Sequence, residues 1–500
     1  MSKETNDIAA SSPAASEVIQ KACVPDKVTH PLTDLGNADL FAEMFKDEVH
    51  YVPELDRWIV WTKGKWSASK GELMGRVRRL LEERRAESNY PGNLVTIYGE
   101  DVGKKDAKKW LAKSQSKSRI DAMLELAKVD PKISVSQDEL DNNPYLLGVQ
   151  NGTLDLVTGI RRPSTPEDLI TQYVRVKYDP EATCPGWEKF IDQVTCGQKD
   201  LANYIQENLG YALSGSVQEQ QMIVFTGKGK NGKSTLVDVI LEVMGDYGKT
   251  TPAHTLMKSE SRAIRNDIAR LRGARFVSAV EINTGKHLDE ALVKRLTGGD
   301  KMTARFIGRE YFEFVPQAKF FLAVNTLPEV SGADDGIYRR IRIIPFDLSV
   351  SEDEVNKGLA EELKQEKAGI LAWAVRGFKH WHANGKLTEP ACVRDASRDF
   401  RSVMDTIGSF IEDECERDKS KRVPKGLLFS EYQKWASRAC IEPVSMKKFG
   451  ILIRQQGFKE QKSDGIRFWQ GITCLELTSQ PTSVSPSTSS QQDPSTGPVQ

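Results

Sequence analysis

Gly227, Gly232, Lys233 and Ser234 fit the spacing G-x-x-x-x-G-K-[ST]. An apolar run from Met222 to Phe225 leads into them, and a helical pattern with Val237, Ile240, Leu241 and Met244 on one face follows, closed by Gly245. Such glycines let backbone N–H groups turn inward on phosphate oxygens, and the N-terminus of the following helix adds partial positive charge. Lys233 can reach β- and γ-phosphates, and the Ser234 hydroxyl can ligate Mg²⁺. The chemistry implied is binding of ATP with Mg²⁺ by Gly227, Lys228, Gly229, Lys230, Asn231, Gly232, Lys233, Ser234 and Thr235.

Three further places carry candidate chemistry. Glu281 ends the apolar run RFVSAVE, where a carboxylate orients the Mg²⁺ shell and the attacking water. Asn325 ends KFFLAVN, where an amide holds the lytic water or the γ-phosphate, or simply begins the turn before Leu327-Pro328. Arg339 and Arg340 close a loop ahead of an apolar strand. A paired arginine there suits a charge-stabilising finger delivered to a neighbouring copy's nucleotide, or a surface ion pair.

The elements that must position these groups are read from periodicity. The predicted order is an α/β core: helices over 187–210, the strand and helix around the glycine loop, buried strands at 276–280 and 320–324, and a helix over 289–297. That helix ends at Gly298-Gly299-Asp300. Alternation over 302–306 and 311–315 predicts a hairpin with its tip at 307–310, carrying Arg305 and Arg309 as DNA-facing cations.

Lys plus Arg number 70 and Asp plus Glu number 70, so any nucleic-acid surface must be local rather than global. The seven cysteines form no C-x-x-C pair and the six histidines are dispersed, which argues for reduced thiols and against a structural zinc. No apolar run is long enough to span a bilayer, and the N-terminal residues lack a signal-peptide core.

Residues 1–30 read as a disordered N-terminus and 478–500 as a Ser/Thr/Pro/Gln-rich disordered tail. Between 31 and 186 lies an α+β accessory domain: a helix at 37–45, and an antiparallel sheet bearing Trp58, Trp61 and Trp66. These rings suit either sheet core or base stacking. Two basic helices follow, one with Arg76, Arg78, Arg79, Arg84 and Arg85, the other with Lys104, Lys105, Lys108, Lys109 and Lys113. Each is a solvated face or a phosphate-backbone contact. A β-meander turns at Asn151-Gly152. The core domain spans 187–395. Residues 402–477 read as three helices and a hairpin turning at Asp464-Gly465, the winged-helix pattern, with KSKRVPKG a basic linker between the first two helices. Lys447, Lys448 and Arg454 on the third helix would face DNA, with protein contact the other use of such a domain.

GKGKNGKST, RFVSAVE, KRLTGGDKMTARF, KFFLAVN and YRRIRIIPF, in that order, resemble superfamily 3 helicases, in particular the phage/plasmid and poxvirus-type primase-helicase C-terminal family. NGTLDLVTG with YDPEATCPGW resembles that family's N-terminal accessory domain. The resemblance implies an AAA+-like P-loop NTPase that forms hexameric rings and moves on single-stranded and forked DNA, in a bacterial host cytoplasm. Lys233 and Ser234 take the Walker A roles, Glu281 Walker B, Asn325 the sensor, and Arg340, with Arg339 beside it, the finger. Many relatives carry two adjacent acids at Walker B, whereas only Glu281 follows the strand here. No Asp-x-Asp pair in a strand context precedes Thr171, so priming is expected from a separate primase. A nucleotide-controlled initiator or origin-binding protein without robust unwinding is the rival expectation.

Overall fold

The computed structural model describes residues 30–87, 103–258, 266–280, 287–308, 310–330, 335–351, 355–439, 441–463 and 465–475. The two terminal stretches expected to be disordered, Glu281 and Arg309 all lie outside the described residues, apart from His30. The chain divides into two compact units, residues 1–155 with 160–173, and residues 156–159 with 174–500. Among the described residues no helix is long and apolar enough to cross a membrane.

The first unit contains α1 (Asp34–Phe45), β1 (Val49–Val52), β2 (Arg57–Thr62), β3 (Lys65–Ser67), α2 (Lys70–Glu87), α3 (Lys104–Ser114) and α4 (Lys117–Ala127). The strands β4 (Leu146–Val149), β5 (Gly152–Asp155) and β6 (Arg161–Arg162) follow. β1, β2 and β3 form an antiparallel sheet in sequence order, as do β4, β5 and β6. The Asn151-Gly152 turn is where expected. Gly152 has φ 148°, and a Cβ there would lie 2.1 Å from the Arg162 carbonyl oxygen, so the turn needs glycine.

The tryptophans serve the core. Trp66 is buried and its indole N–H donates to the Pro166 carbonyl at 2.9 Å. Trp58 packs edge-on against Phe41, and Trp61 lies 5.7 Å from Trp66. Three of the five arginines of α2 are likewise engaged within the unit. Arg76 pairs with Glu48 and Glu72, and Arg79 with Glu48. Arg84 is buried and donates to Asn37 Oδ1 at 3.0 Å and to the His30 and Gly36 carbonyls at 3.1 Å each, joining α2 to the start of α1.

The second unit begins with α5 (Pro185–Val194), α6 (Lys199–Tyr211), β7 (Met222–Thr226), α7 (Lys233–Met244), β8 (Gly248–Pro252), α8 (Asn266–Ala269) and β9 (Phe276–Val280). It continues with α9 (Glu290–Gly298), β10 (Met302–Ala304), β11 (Phe312–Phe314), β12 (Lys319–Val324), α10 (Asp335–Tyr338) and β13 (Ile341–Pro345). Five strands make one all-parallel sheet in the order β13-β7-β12-β9-β8. Every residue of β12 is buried, and from Phe320 to Val324 it is the continuous apolar run of a strand covered on both faces. Alternate positions send Phe225, Phe276 and Phe321 to one face as a stack, and Met222, Val224, Val277, Phe320 and Leu322 to the other. β8 went unread because Gly248–Pro252 has no apolar run and buries only Thr251.

Two buried cations fix the opposite end of this sheet. The Arg275 guanidinium donates to the Leu213 carbonyl at 2.7 Å. Lys319 Nζ donates to the Ser216 and Gln317 carbonyls at 3.1 and 2.9 Å, and to that of Ser214. Burial, with Arg275 beside it, pushes the Lys319 pKa well down.

The rest of the second unit comprises α11 (Leu359–Lys364), α12 (Lys367–Asn384), α13 (Ala391–Met404), α14 (Thr406–Glu414), β14 (Cys415–Pro424), α15 (Lys425–Arg438), α16 (Met446–Gln455), β15 (Lys459–Ser463) and β16 (Ile466–Cys474). α14, α15 and α16 pack with the antiparallel sheet β14-β16-β15 around Phe410, Tyr432, Phe449 and Trp469. KSKRVPKG is therefore not a linker. Most of it is the end of β14, where Val423 pairs with Trp469 and both are buried; a register shift between Arg417 and Arg422 hides the alternation in sequence.

Replacing Arg84 by Ala strands two buried acceptors, Asn37 Oδ1 and the Gly36 carbonyl, each unsatisfied group costing about 1–3 kcal/mol, and removes a half-buried bond to the His30 carbonyl. Urea unfolding of the Arg84→Ala protein should show a lower midpoint, whereas Arg78→Ala, at an exposed position, should leave it unchanged.

Candidate functional site

β7 ends at Thr226 and α7 begins at Lys233, and the six residues between them form the glycine loop. Its backbone is left-handed at Gly229 (φ 96°), Lys230 (φ 47°) and Gly232 (φ 87°). An L-residue pays strain in that region, so glycine is the natural occupant and Lys230 is held there by its surroundings. A Cβ at Gly227 would lie 2.1 Å from Asn231 Nδ2 and 2.4 Å from the Phe346 carbonyl oxygen, and one at Gly232 would lie 2.7 Å from Val194 Cγ1. A Cβ at Gly229 would meet nothing within 4 Å, so the middle of the loop opens outward.

The buried side chain of Asn231 braces the loop from beneath. Its Nδ2 donates to the Phe346 carbonyl at 3.1 Å, past the end of β13, and its Oδ1 accepts from Lys233 Nζ at 2.9 Å. Lys233 Nζ also donates to the Gly227 carbonyl at 2.8 Å. Burial holds the Lys233 pKa below its ordinary value, so a phosphate anion arriving here would meet a poorly solvated cation. Gly232 gives α7 no side-chain cap, which leaves the first N–H groups of a twelve-residue helix for a ligand. Ser234 is exposed in that first turn and Thr235 is half-buried; Lys228 and Lys230 are exposed on the loop.

Asn325 directly follows β12, whose Val324 pairs with Thr226 of β7, so Asn325 stands exposed beside the start of the glycine loop. β9 ends at Val280, paired with Ala323 of β12, so its C-terminal end lies at the same edge of the sheet. Among the described residues no group of three or more His, Cys, Asp or Glu could hold a metal by itself. The donors present suit Mg²⁺ arriving with a nucleotide, with Ser234 as a protein ligand.

The arginine pair lies elsewhere. Ile341, the first residue of β13, pairs with Met222, the first residue of β7, while the glycine loop follows the last residue of β7. Arg340 is thus level with Gln221, six residues before Gly227, and at about 3.3 Å per residue that sets it roughly 20 Å down the sheet from the loop. The expectation of two arginines held out on a loop is corrected for Arg340. Its side chain is buried and donates to Thr297 Oγ1 at 3.2 Å, the Gly336 carbonyl at 2.8 Å and Gln220 Oε1 at 3.1 Å. Arg339 is the exposed member. Sequence reasoning missed this inward turn because Gln220 is 120 positions away.

The hairpin is shorter than expected, with β10 and β11 pairing only from Met302↔Phe314 to Ala304↔Phe312. Beyond it Arg305 folds over the Tyr311 ring at 4.7 Å, and Phe306, Ile307 and Tyr311 are exposed, Ile307 by 80 %. On α16, Lys447 and Lys448 are exposed in the first turn, behind the Ser445 cap. Arg454 pairs with Glu460 of β15 and lies over the Trp469 ring, so it is engaged within its own domain.

The chain matches the family described as D5 N terminal like over residues 38–196, a family of unknown function over 225–340, and the family described as poxvirus D5 protein-like over 402–469. It is 30 % identical over 325 residues to "Putative helicase L207/L206" of Acanthamoeba polyphaga mimivirus, covering 59 % of this chain and 33 % of that protein. It is 24 % identical over 363 residues to "Putative helicase 184R" of Invertebrate iridescent virus 6, covering 64 % and 37 %. A shorter match, 28 % over 211 residues, is to "Putative primase C962R" of African swine fever virus, covering 41 % and 22 %. The chain thus spans about a third of the length of the two helicase-named relatives. A solved structure, the A form apo structure of the NrS-1 C terminal region, shares the fold with a TM-score of 0.51 at 12 % identity, covering 88 % of this chain and 99 % of that one. These matches to the two D5-like families and to relatives named putative helicase and putative primase support a D5-like primase-helicase family.

Glu460 gathers Arg454, Lys425 at 3.0 Å and Arg467 at 3.4 Å, and its hydrogen bonds from Arg454 and Lys425 lower its pKa from 4.5 to about 2. A depressed carboxylate pKa stabilises the folded state above about pH 4.5 and loses that contribution as pH falls towards 2. Glu460→Gln should therefore be less stable than the unaltered protein at pH 7 and flatter in pH dependence, with the urea midpoints of the two converging as pH falls towards 2; equal midpoints at pH 7 would contradict this.

Proposed function

We propose that the chain is the ATP-dependent DNA helicase motor of a replication system, working as a ring of identical copies, a hexamer by family resemblance, on single-stranded and forked DNA. The observation that carries this reading is the glycine loop itself: a left-handed, outward-opening backbone between a central parallel strand and an uncapped helix, with Lys233 buried at its base. Numbered along the chain, the five parallel strands lie in the order 5-1-4-3-2, with the loop after strand 1, which suits an AAA+-like P-loop core. The domains proposed around it are the accessory domain (31–186) and a winged helix (402–477).

In this reading the N–H groups of residues 227–235 hold the phosphates of ATP and Lys233 exchanges its Gly227 and Asn231 acceptors for phosphate oxygens. Mg²⁺, bound with the nucleotide and by Ser234, would supply charge neutralisation at the transferring phosphate. Glu281 and Asn325 would orient the attacking water from the strand ends beside the loop. The Arg339–Arg340 pair, a sheet's length from its own loop, could serve only another copy's nucleotide, which supports a ring. Arg339 is presented for that contact, and Arg340 would have to leave Gln220 and Thr297 to join it.

The hairpin would touch DNA through Arg305, Arg309 and the exposed Ile307, and the winged helix through Lys447 and Lys448, with Arg454 held back by Glu460. A bacterial host draws no support from relatives named for amoebal, invertebrate and swine viruses.

Lys233→Ala should abolish both ATP hydrolysis and strand separation on a forked substrate. Arg305→Ala should keep basal hydrolysis while losing at least tenfold in unwinding. ATP bound without turnover in the presence of single-stranded DNA would overturn the motor reading in favour of a nucleotide-controlled initiator.

A further inference from the structure

The two basic helices of the first unit have different fates. The α2 arginines Arg76, Arg79 and Arg84 are spent on Glu48, Glu72, Asn37 and backbone carbonyls. On α3, Lys105, Lys108, Lys109 and Lys113 are all exposed, and among the described residues none of them forms an ion pair. Their spacings of three, one and four residues put them on one helical face. The opposite face is the buried one, with Ala107, Leu111 and Ser114 each at most 8 % exposed. The helix carries one acid, Asp106, in its first turn, where the helix dipole favours it.

Exposed polar residues follow the end of α3. After two intervening residues α4 starts at Lys117 behind the N-cap Ser116, whose side chain makes no capping bond; of the first N–H groups of this eleven-residue helix, that of Arg119 donates to the Ser116 carbonyl at 3.1 Å, and those of Lys117 and Ser118 have no side-chain cap. Ser116, Lys117 and Ser118 are exposed there. The connection is tight, with Ser116 N–H donating to the Lys113 carbonyl at 3.0 Å. Lys105 to Lys113 spans about 12 Å at 1.5 Å per residue, and the α4 start follows within three residues in sequence.

We propose that this face of α3, with the N-terminus of α4, is a second nucleic-acid contact: a sequence-independent cradle for the phosphate backbone of a DNA strand, separate from the hairpin and the C-terminal domain. Four lysines without an ion pair among the described residues, and a helix start without a side-chain cap, complement a line of phosphates. Among the described residues the face has no exposed aromatic ring, Trp110 being half-buried beneath the Arg119 guanidinium at 5.2 Å, which suits a grip on backbone rather than on bases. The choice of DNA over another polyanion rests on the motor reading above.

The test uses the full chain with Lys105, Lys108, Lys109 and Lys113 all changed to Gln, and a companion with all four changed to Arg. Fluorescence anisotropy measures affinity for labelled single-stranded and duplex oligonucleotides across a salt series, and basal ATP hydrolysis without DNA is measured alongside. The Gln variant should lose at least about tenfold in affinity at low salt. Its plot of log affinity against log salt should be shallower by roughly 2–3, from four contacts at about 0.7 each for a single strand. Basal hydrolysis should be unchanged, and the Arg variant should behave as the unaltered protein. Equal affinity and salt slope in the Gln variant would overturn this proposal and leave the motor reading standing. Loss of binding to anionic vesicles with DNA binding intact would also overturn it. An unaltered protein that hydrolyses ATP but binds no DNA would overturn both.

Discussion

The site depends on the Asn231 side chain more than on any residue whose type announces chemistry. A loop with three left-handed residues in a row of six has no regular hydrogen bonding of its own to hold it open. Asn231 supplies the missing bonds, one to the Phe346 carbonyl beyond β13 and one to the Lys233 ammonium. Buried amides bound at both ends are rigid, because breaking either bond strands a polar group away from water. The loop's shape is thereby tied to the register of β13 on β7, and so to the whole parallel sheet.

The sheet has two ends with different work. Thr226, Val324 and Val280 finish three adjacent strands at the edge where the glycine loop sits. At the other edge stand buried cations: Arg275 and Lys319 clamping the carbonyls after α6, and Arg340 gathering Gln220, Thr297 and Gly336. Thr297 lies in the last turn of α9, just before the hairpin, and Gln220 lies just before β7. Arg340 therefore joins the base of the hairpin to the strand that carries the loop. In the proposed motor, whatever moves Arg340 towards a neighbouring copy also loosens that joint, a physical route from nucleotide to hairpin.

Much of this was legible in the sequence because local rules carry it. The glycine loop has a fixed spacing, β7, β9 and β12 are uninterrupted apolar runs, and Asn151-Gly152 marks its own turn. What was not legible depended on distant partners or hidden alternation. β8 exists because β9 offers it an edge, not because Gly248–Pro252 is apolar. The end of β14 looked like a basic linker because lysines and arginines surround the single buried Val423. Arg454 read as a DNA contact until Glu460 was placed beside it, and the inward turn of Arg340 needs Gln220 to be seen. Charged side chains were the hardest to assign, since burial and pairing decide their role and neither is written in the local pattern.

The central claim is that the braced loop holds a triphosphate. The most direct measurement is a structure of the chain bound to a non-hydrolysable ATP analogue and Mg²⁺. The account predicts phosphates lying on the N–H groups from Gly227 to Ser234, with Lys233 Nζ moved from the Gly227 carbonyl onto a β- or γ-phosphate oxygen and Asn231 still bonded to Phe346. Nucleotide bound elsewhere, or Lys233 still on its carbonyl with the phosphates out of reach, would contradict it.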